Sequence, residues 1–419
     1  MVFLFLRMYK KKNSFFHAAF QHALGAQTRE NCRHEGFGNS TNSTACDSSE
    51  SIKGSQYSHR IYGIAYYTSM LLYTPRGERM PRSVAPWEAK RELLVKADDR
   101  TDPSFGCKPE ERPAQENLKY GLINLDKPAG PTSHEVAAWV KRILKLSAVG
   151  HGGTLDPKVT GVLPVTLLEA TKVVQALLFS GKEYVCLMKL HGDASEPQVR
   201  KVLKEFEDMI YQRPPLRSSV KRQLRTRRIF YSDFLEMEGR NVLFTVGCEG
   251  GTYIRKLCFD IGEVLGCGAH MQELRRTRAG PFVEKDAVTL QEVAYSFMEW
   301  QESKDEKILK RFVQPMERAL ALVPKIYIRD SAVGAVCHGA NLTAPGVLSL
   351  EGGIKQGSLV AVFSLKGEAV ALAESAASSE QIVDMNHGVV ARVSRVLMPR
   401  STYPKRWKSG EKTDEQKKQ

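Results

Sequence analysis

The stretch NVLFTVGCEGGTYIRKLCFDIGEVLG, residues 241–266, changes character partway along. Residues 241–246 read as a strand that runs into Gly250-Gly251. Residues 252–265 then read as a helix ended by Gly266, the residue type that tolerates a left-handed backbone after a last turn. The same mixture continues outward. Residues 120–125 and 182–190 read as strands, and residues 197–206 as an amphipathic helix. Ser133 is placed to cap a helix running through Leu146, with Val136, Val140, Ile143 and Leu144 on one face. Strands and helices mixed without regular strand–helix–strand spacing predict an α+β fold rather than a parallel sheet. From Lys325 the pattern changes to short strands punctuated by Gly and Pro: residues 359–365 and 369–372 around the turn Lys366-Gly367, then 389–396. That pattern predicts a small β-barrel of about 75 residues.

The chain has 419 residues, which suggests two or three domains. Its hydrophobic share of 42% and charged share of 26% are those of a globular protein able to bury a core. A net charge of +14 points to a polyanionic partner. Cysteines stand at 32, 46, 107, 186, 248, 258, 267 and 337, with no C-x-x-C pair and no zinc-site spacing. They read as reduced core cysteines of an intracellular protein. No segment reaches the roughly 20 apolar residues needed to span a bilayer.

Residues 1–79 differ from the rest. They carry 10 Lys and Arg against 5 Asp and Glu, and positions 36–58 are rich in Gly, Ser, Thr and Asn, as in a disordered extension. Residues 1–29 hold no acid, a composition shared with organelle transit peptides. The compact, mixed sequence that begins at Met80 predicts a functional protein starting near there.

The loop Gly150-His151-Gly152-Gly153-Thr154-Leu155-Asp156-Pro157, taken alone, reads as a surface turn. Arg255 falls on the first turn of the helix after Gly250-Gly251, where the macrodipole favours an acid. A guanidinium there suits a carboxylate partner, because its planar fork matches one. Tyr184 opens a strand, a position more often core than catalytic. Arg217, Lys221, Arg222, Arg225, Arg227 and Arg228 form an acid-free run, and Leu274-Arg275-Arg276-Thr277-Arg278 adds a second. Together they predict a surface that tracks phosphates.

Five motifs stand in a fixed order: residues 126–134 (DKPAGPTSH), 150–157 (GHGGTLDP), 182–184 (KEY), 251–255 (GTYIR) and 274–276 (LRR). Together they resemble the TruB/dyskerin family of pseudouridine synthases, closest to its archaeal H/ACA catalytic-subunit branch. Residues 101–106 and 109–113 resemble that branch's N-terminal arm; Gln212-Arg213-Pro214-Pro215-Leu216 and Tyr403-Pro404-Lys405-Arg406-Trp407 also resemble it. Residues 325–400 resemble a PUA domain. The resemblance implies an α+β pseudouridine synthase fold, a mixed and mainly antiparallel sheet flanked by helices, plus a C-terminal PUA β-barrel. It divides the chain into an arm at 80–118, a catalytic domain at 119–322, a PUA domain at 323–400 and a polar tail at 401–419.

It also implies roles. Asp156 is the nucleophile, Arg255 its partner, and Tyr184 the aromatic face on which a flipped base stacks and through which its proton is handled. Leu274 packs beside the base, and Lys127, His151 and Tyr253 lie near the substrate RNA. No metal and no cofactor are expected. The implied partners are tRNA, rRNA, an H/ACA guide RNA and small H/ACA ribonucleoprotein subunits, with no membrane. The chain lacks the long Lys-rich tail of nucleolar members, so a cytoplasmic location is expected over a nucleolar one. Three readings follow: a guide-dependent enzyme, a stand-alone enzyme acting on the T-loop uridine of tRNA, and a non-catalytic RNA-binding scaffold.

Overall fold

The structure is a computed structural model that describes residues 84–214 and 223–404, all within one compact unit, His59–Gln419. Two sheets organise them. The catalytic sheet contains β2 (Gly121–Lys127), β3 (Val149–His151), β4 (Thr160–Leu167), β5 (Lys182–Leu190), β6 (Asp208–Gln212), β7 (Arg225–Glu238), β8 (Asn241–Cys248), β9 (Ala269–Ala279), β10 (Phe282–Val283) and β11 (Gln314–Pro315). Its main path runs β11-β2-β4-β9-β5-β8-β7-β6. Every pairing is antiparallel except β4 with β9, so the sheet is mixed and mainly antiparallel as expected.

The second sheet is the PUA barrel. It contains β12 (Lys325–Ile328), β13 (Leu342–Thr343), β14 (Val347–Glu351), β15 (Leu359–Ser364), β16 (Ala369–Ser375) and β17 (Val389–Val396). A further strand, β1 (Leu93–Val95), joins it from the N-terminal arm and pairs antiparallel with β14. The arm is therefore part of the barrel, a long-range pairing that no local pattern announces. Lys96 Nζ donates to the carbonyls of Ile382 at 3.1 Å and Val383 at 2.8 Å, and Lys366 Nζ donates to Asp102 O at 2.9 Å.

Helices α1 (Ala114–Tyr120), α2 (Ser133–Ile143), α3 (Val174–Phe179), α4 (Glu196–Glu205), α5 (Ile254–Leu265), α6 (Leu290–Ser303) and α7 (Glu306–Phe312) flank the catalytic sheet, and α8 (Asp330–Cys337) and α9 (Ser379–Asp384) belong to the barrel. The expected elements are present with shifted ends. The cap of α2 is Thr132, not Ser133: Thr132 Oγ1 accepts from Glu135 N and Glu135 reaches back to Thr132 N, a reciprocal capping box. Helix α5 begins at Ile254 rather than 252 and ends as expected at Gly266, whose φ is +76°.

One apolar cluster holds residues of both sheets, among them Leu122, Val162 and Phe282 from the catalytic body and Ala361, Phe363 and Leu372 from the barrel. Arg112 and Glu317 reinforce that seam with a bidentate pair at 2.9 and 2.7 Å. Cys186, Cys248, Cys258 and Cys337 are free and buried, as read from the sequence; Cys107 and Cys267 are free but only partly buried. Cys32, Cys46, the Gly/Ser-rich segment and the tail from Lys405 lie outside the described residues.

Candidate active site

The loop after β3 is built on two glycines with different constraints. A Cβ on Gly152 would meet Leu177 Cβ at 2.8 Å, so the backbone passes too close to α3 for a side chain. Gly153 has φ of +133°, which L residues rarely adopt. Beyond them Leu155 and Val159 drop into the apolar core with Tyr184 and Ile254. Asp156 between them is left outward. Ser133 fixes this step: its Oγ accepts from Leu155 N at 2.8 Å and donates to Leu155 O at 3.2 Å. Because Thr132 takes the capping role, Ser133 is free for this contact.

Arg255, on the first turn of α5, donates from Nη2 to Asp156 Oδ2. Both side chains are 49% exposed. The carboxylate is thus paired, acceptor-only and reachable from solvent. The approach to α5 is held by Gln212, whose Oε1 accepts from Tyr253 N at 2.9 Å and whose Nε2 donates to Tyr253 O at 3.1 Å. Tyr253 itself is half-buried as the residue preceding the helix.

Strand β5 alternates strictly between buried and partly exposed positions. Lys182 and Tyr184 therefore share one side. Glu183 takes the other, where its carboxylate accepts from Tyr231 and from Thr277 Oγ1 at 2.7 Å. Tyr184 is buried, and burial pushes its phenol above the usual range while Arg276 pulls it back down. It is protonated at neutral pH. Leu274, on β9 opposite Cys186, packs against the same core cluster as Tyr184.

Two sequence readings change here, that of Lys127 and that of the second basic run. Lys127 is 0% exposed, and its Nζ donates to the carbonyls of Pro128 at 2.8 Å, Pro157 at 3.1 Å and Val159 at 2.9 Å. It has no exposed surface to offer an RNA; it ties the stretch just after Asp156 to the end of β2. Burial and then Arg276 lower its amine to about 8. His151 is half-buried with Nδ1 unpartnered, its ring edge-on to His134 at 4.9 Å. Burial, then His134 and Arg276, hold it down to about 4. It is therefore a neutral imidazole beside the loop. The second basic run is not a phosphate track: Arg275 makes a bidentate pair with Asp126 at 3.0 and 2.9 Å and also meets Glu284 at 2.6 Å, while Arg276 is buried. In the first run Arg228 pairs with Asp208; Arg217, Lys221 and Arg222 lie outside the described residues.

Sequence reading also missed several supporting residues. Ser133, Gln212 and Arg276 act on main-chain atoms far away in the chain, and only Ser133 had a local signal, the T-x-x-E box that makes it unnecessary as a cap. Lys182 belongs with them: its Nζ donates to Leu177 O at 2.8 Å, Leu178 O at 2.9 Å and Ser180 O at 2.6 Å, closing the end of α3. Burial, then Arg276, pull its amine down to about 7, with Cys248 acting in the opposite sense. Among the described residues no group of three His, Cys, Asp or Glu side chains could hold a metal ion.

A mixed sheet carrying a paired, solvent-facing aspartate, joined through a common core to a PUA barrel, defines an RNA-modifying class of protein. Comparison with known proteins makes it specific. Residues 141–254 match the TruB family pseudouridylate synthase N-terminal domain, 255–321 the tRNA pseudouridylate synthase B C-terminal domain, 324–397 the PUA domain and 83–137 the DKCLD domain. The chain is 58% identical over 322 residues to a protein of Methanopyrus kandleri named "Probable tRNA pseudouridine synthase B", covering 77% of this chain and 95% of that one. A Pyrococcus abyssi protein of the same name is 56% identical over 328 residues, covering 78% and 98%. A crystal structure of a Cbf5-Nop10-Gar1 complex contains a chain 53% identical with a TM-score of 0.75, covering 78% of this chain and 99% of that one. A structure of an H/ACA RNP bound to a substrate RNA containing 2′-deoxyuridine contains one 51% identical, TM-score 0.73, covering 78% and 100%. The chain belongs to the TruB family of pseudouridine synthases, and it is an isomerase.

Proposed function

We propose that the chain converts uridine to pseudouridine in structured RNA with Asp156 as its nucleophile. The observation that carries this is the Asp156–Arg255 pair: a solvent-facing carboxylate, a group able to act as a nucleophile, held in place by a guanidinium. The reaction breaks the N1–C1′ bond, turns the uracil and forms the C5–C1′ bond. The proton leaves C5 and N1 gains one, so nothing is oxidised or reduced. The target uridine is flipped out of the RNA and stacks on Tyr184. Leu274, Tyr253 and His151 line its surroundings. Tyr184, protonated at neutral pH, is available to exchange the proton that C5 releases.

The PUA barrel is read as the RNA grip. One structure similar to this chain is of an H/ACA RNP with a substrate RNA and another of a Cbf5-Nop10-Gar1 complex, and these support a guide RNA and small protein subunits as its partners. The relatives' name supports a second reading, direct action on tRNA. Tritium release from RNA labelled at uridine C5 tests both. Asp156→Asn is expected to abolish release while RNA binding persists; substantial residual turnover would reject the assignment. Wild-type activity on tRNA alone supports stand-alone action, activity only with guide and partners supports the particle, and no product in any mixture leaves a non-catalytic scaffold.

A further inference from the structure

We infer that Arg276 is a positioning residue for this reaction: one buried guanidinium ties the Asp156 loop to the sheet at the place where Tyr184 stands. The inference rests on the roles proposed above for Asp156 and Tyr184 and adds a residue to them.

Its place in the fold is specific. Arg276 stands where β9 meets both neighbours, opposite Gly161 across the sheet's parallel pairing and opposite Tyr184 across the antiparallel one. A Cβ on Gly161 would lie 2.2 Å from Arg276 O, so the strands meet there at a distance only glycine allows. The β5–β9 register slips between Glu183 and Tyr184 with Thr277 of β9 as the extra residue, so the irregularity lies on the strand that carries Arg276. Arg276 is 1% exposed. Its Nε donates to Val162 O at 2.7 Å, and its Nη2 donates to Gly153 O at 3.0 Å, three residues before Asp156. Arg276 also lies within electrostatic reach of Tyr184, whose phenol it draws down against the effect of burial.

Cost supports function. Among the described residues no carboxylate forms an ion pair with Arg276, and two further buried cations, Lys127 and Lys182, lie within its electrostatic reach. A cation buried without a counter-charge is expensive, and an apolar side chain would fill the same volume with less penalty. What the guanidinium supplies, and an apolar group could not, is a fixed geometry between the loop and β4, at the sheet position that faces Tyr184.

The test uses the full chain with whichever RNA the wild type turns over in the tritium assay. Four measurements are made on R276Q and R276K: single-turnover rate, RNA affinity, thermal midpoint, and the Tyr184 ring-carbon resonance in tyrosine-labelled protein, assigned with Y184F. R276Q is expected to slow turnover about 100-fold, the order seen when one preorganised donor is lost, with RNA affinity unchanged. R276K is expected to recover part of the rate. In R276Q the Tyr184 phenol is expected to titrate at higher pH, a change that loss of packing alone would not produce. A folded R276Q with the wild-type rate, or an unmoved Tyr184 resonance, overturns the inference. If R276Q does not fold, R276K decides in the same way. D156N runs alongside: if it retains turnover, the underlying assignment fails; if it is inactive while R276Q is not slowed, only the role of Arg276 fails.

Discussion

The Arg112–Glu317 and Arg255–Asp156 pairs use the same two functional groups, but their side chains are 9% and 9% exposed in the first and 49% and 49% in the second. The first lies at the seam where arm, catalytic body and barrel meet, and Glu317 also accepts from Ala369 N at 3.1 Å. Every lone pair it uses there is committed to holding the fold. The second lies at the mouth of a loop whose shape is set by others: Ser133, Lys127 and, through Gly153, Arg276. Its carboxylate is free to meet a substrate because the loop does not depend on it. Chemistry of the pair does not separate structure from function here; burial and what else the carboxylate must satisfy do.

That contrast can be broken by mutation. The largest effect is expected at Asp156: Asn should cut turnover by at least about 1000-fold while leaving the unfolding midpoint close to wild type, since exposed pairs contribute only about 0–1 kcal/mol. A large stability loss would erase the distinction drawn. Next, Arg112→Met should lower stability by about 3–5 kcal/mol, because Glu317 is left charged and buried without its partner. Urea unfolding measures this, and the rate per bound RNA should be unaffected. Arg255→Ala should follow, with turnover down about 100-fold and little change in stability; a wild-type rate would remove the guanidinium from the chemistry. The smallest effect concerns the wall of the loop. His151 is held down to about 4 from 6.5, so between those values the unfolded chain carries a proton that the folded chain does not. Stability should therefore fall as pH drops through that window and recover above it. Unfolding at pH 7 and pH 5 should show a smaller difference in His151→Asn than in the wild type.

Much of the fold was legible. The period changes around 241–266 placed β8, the loop and α5, and the end at Gly266 held because a left-handed C-cap is a local property. The helix start was misplaced by two residues because Tyr253 is held extended by Gln212, a contact 41 residues away. Strand β7, with fourteen residues and three arginines, was read only as a basic run, since its pairing with β6 and β8 leaves one side polar. The arm strand Leu93–Val95 had no signal, because three residues show no period and its partner lies some 250 positions away.

The residues assigned to the proposed site were visible from the chain: Asp156, Tyr184, Arg255 and Leu274 belong to short motifs whose order is written in one dimension. The residues that hold them were not. Lys127, Lys182 and Arg276 are cations in the sequence, and cations are expected outside; the fold buries all three against backbone carbonyls. Sequence by itself determined the class of fold and the groups proposed to react, because period, turn chemistry and motif order can be read along the chain. Tertiary structure alone decided which charges face solvent and which are consumed internally. A carbonyl oxygen belongs to every residue alike, and only folding selects the ones that meet a given cation.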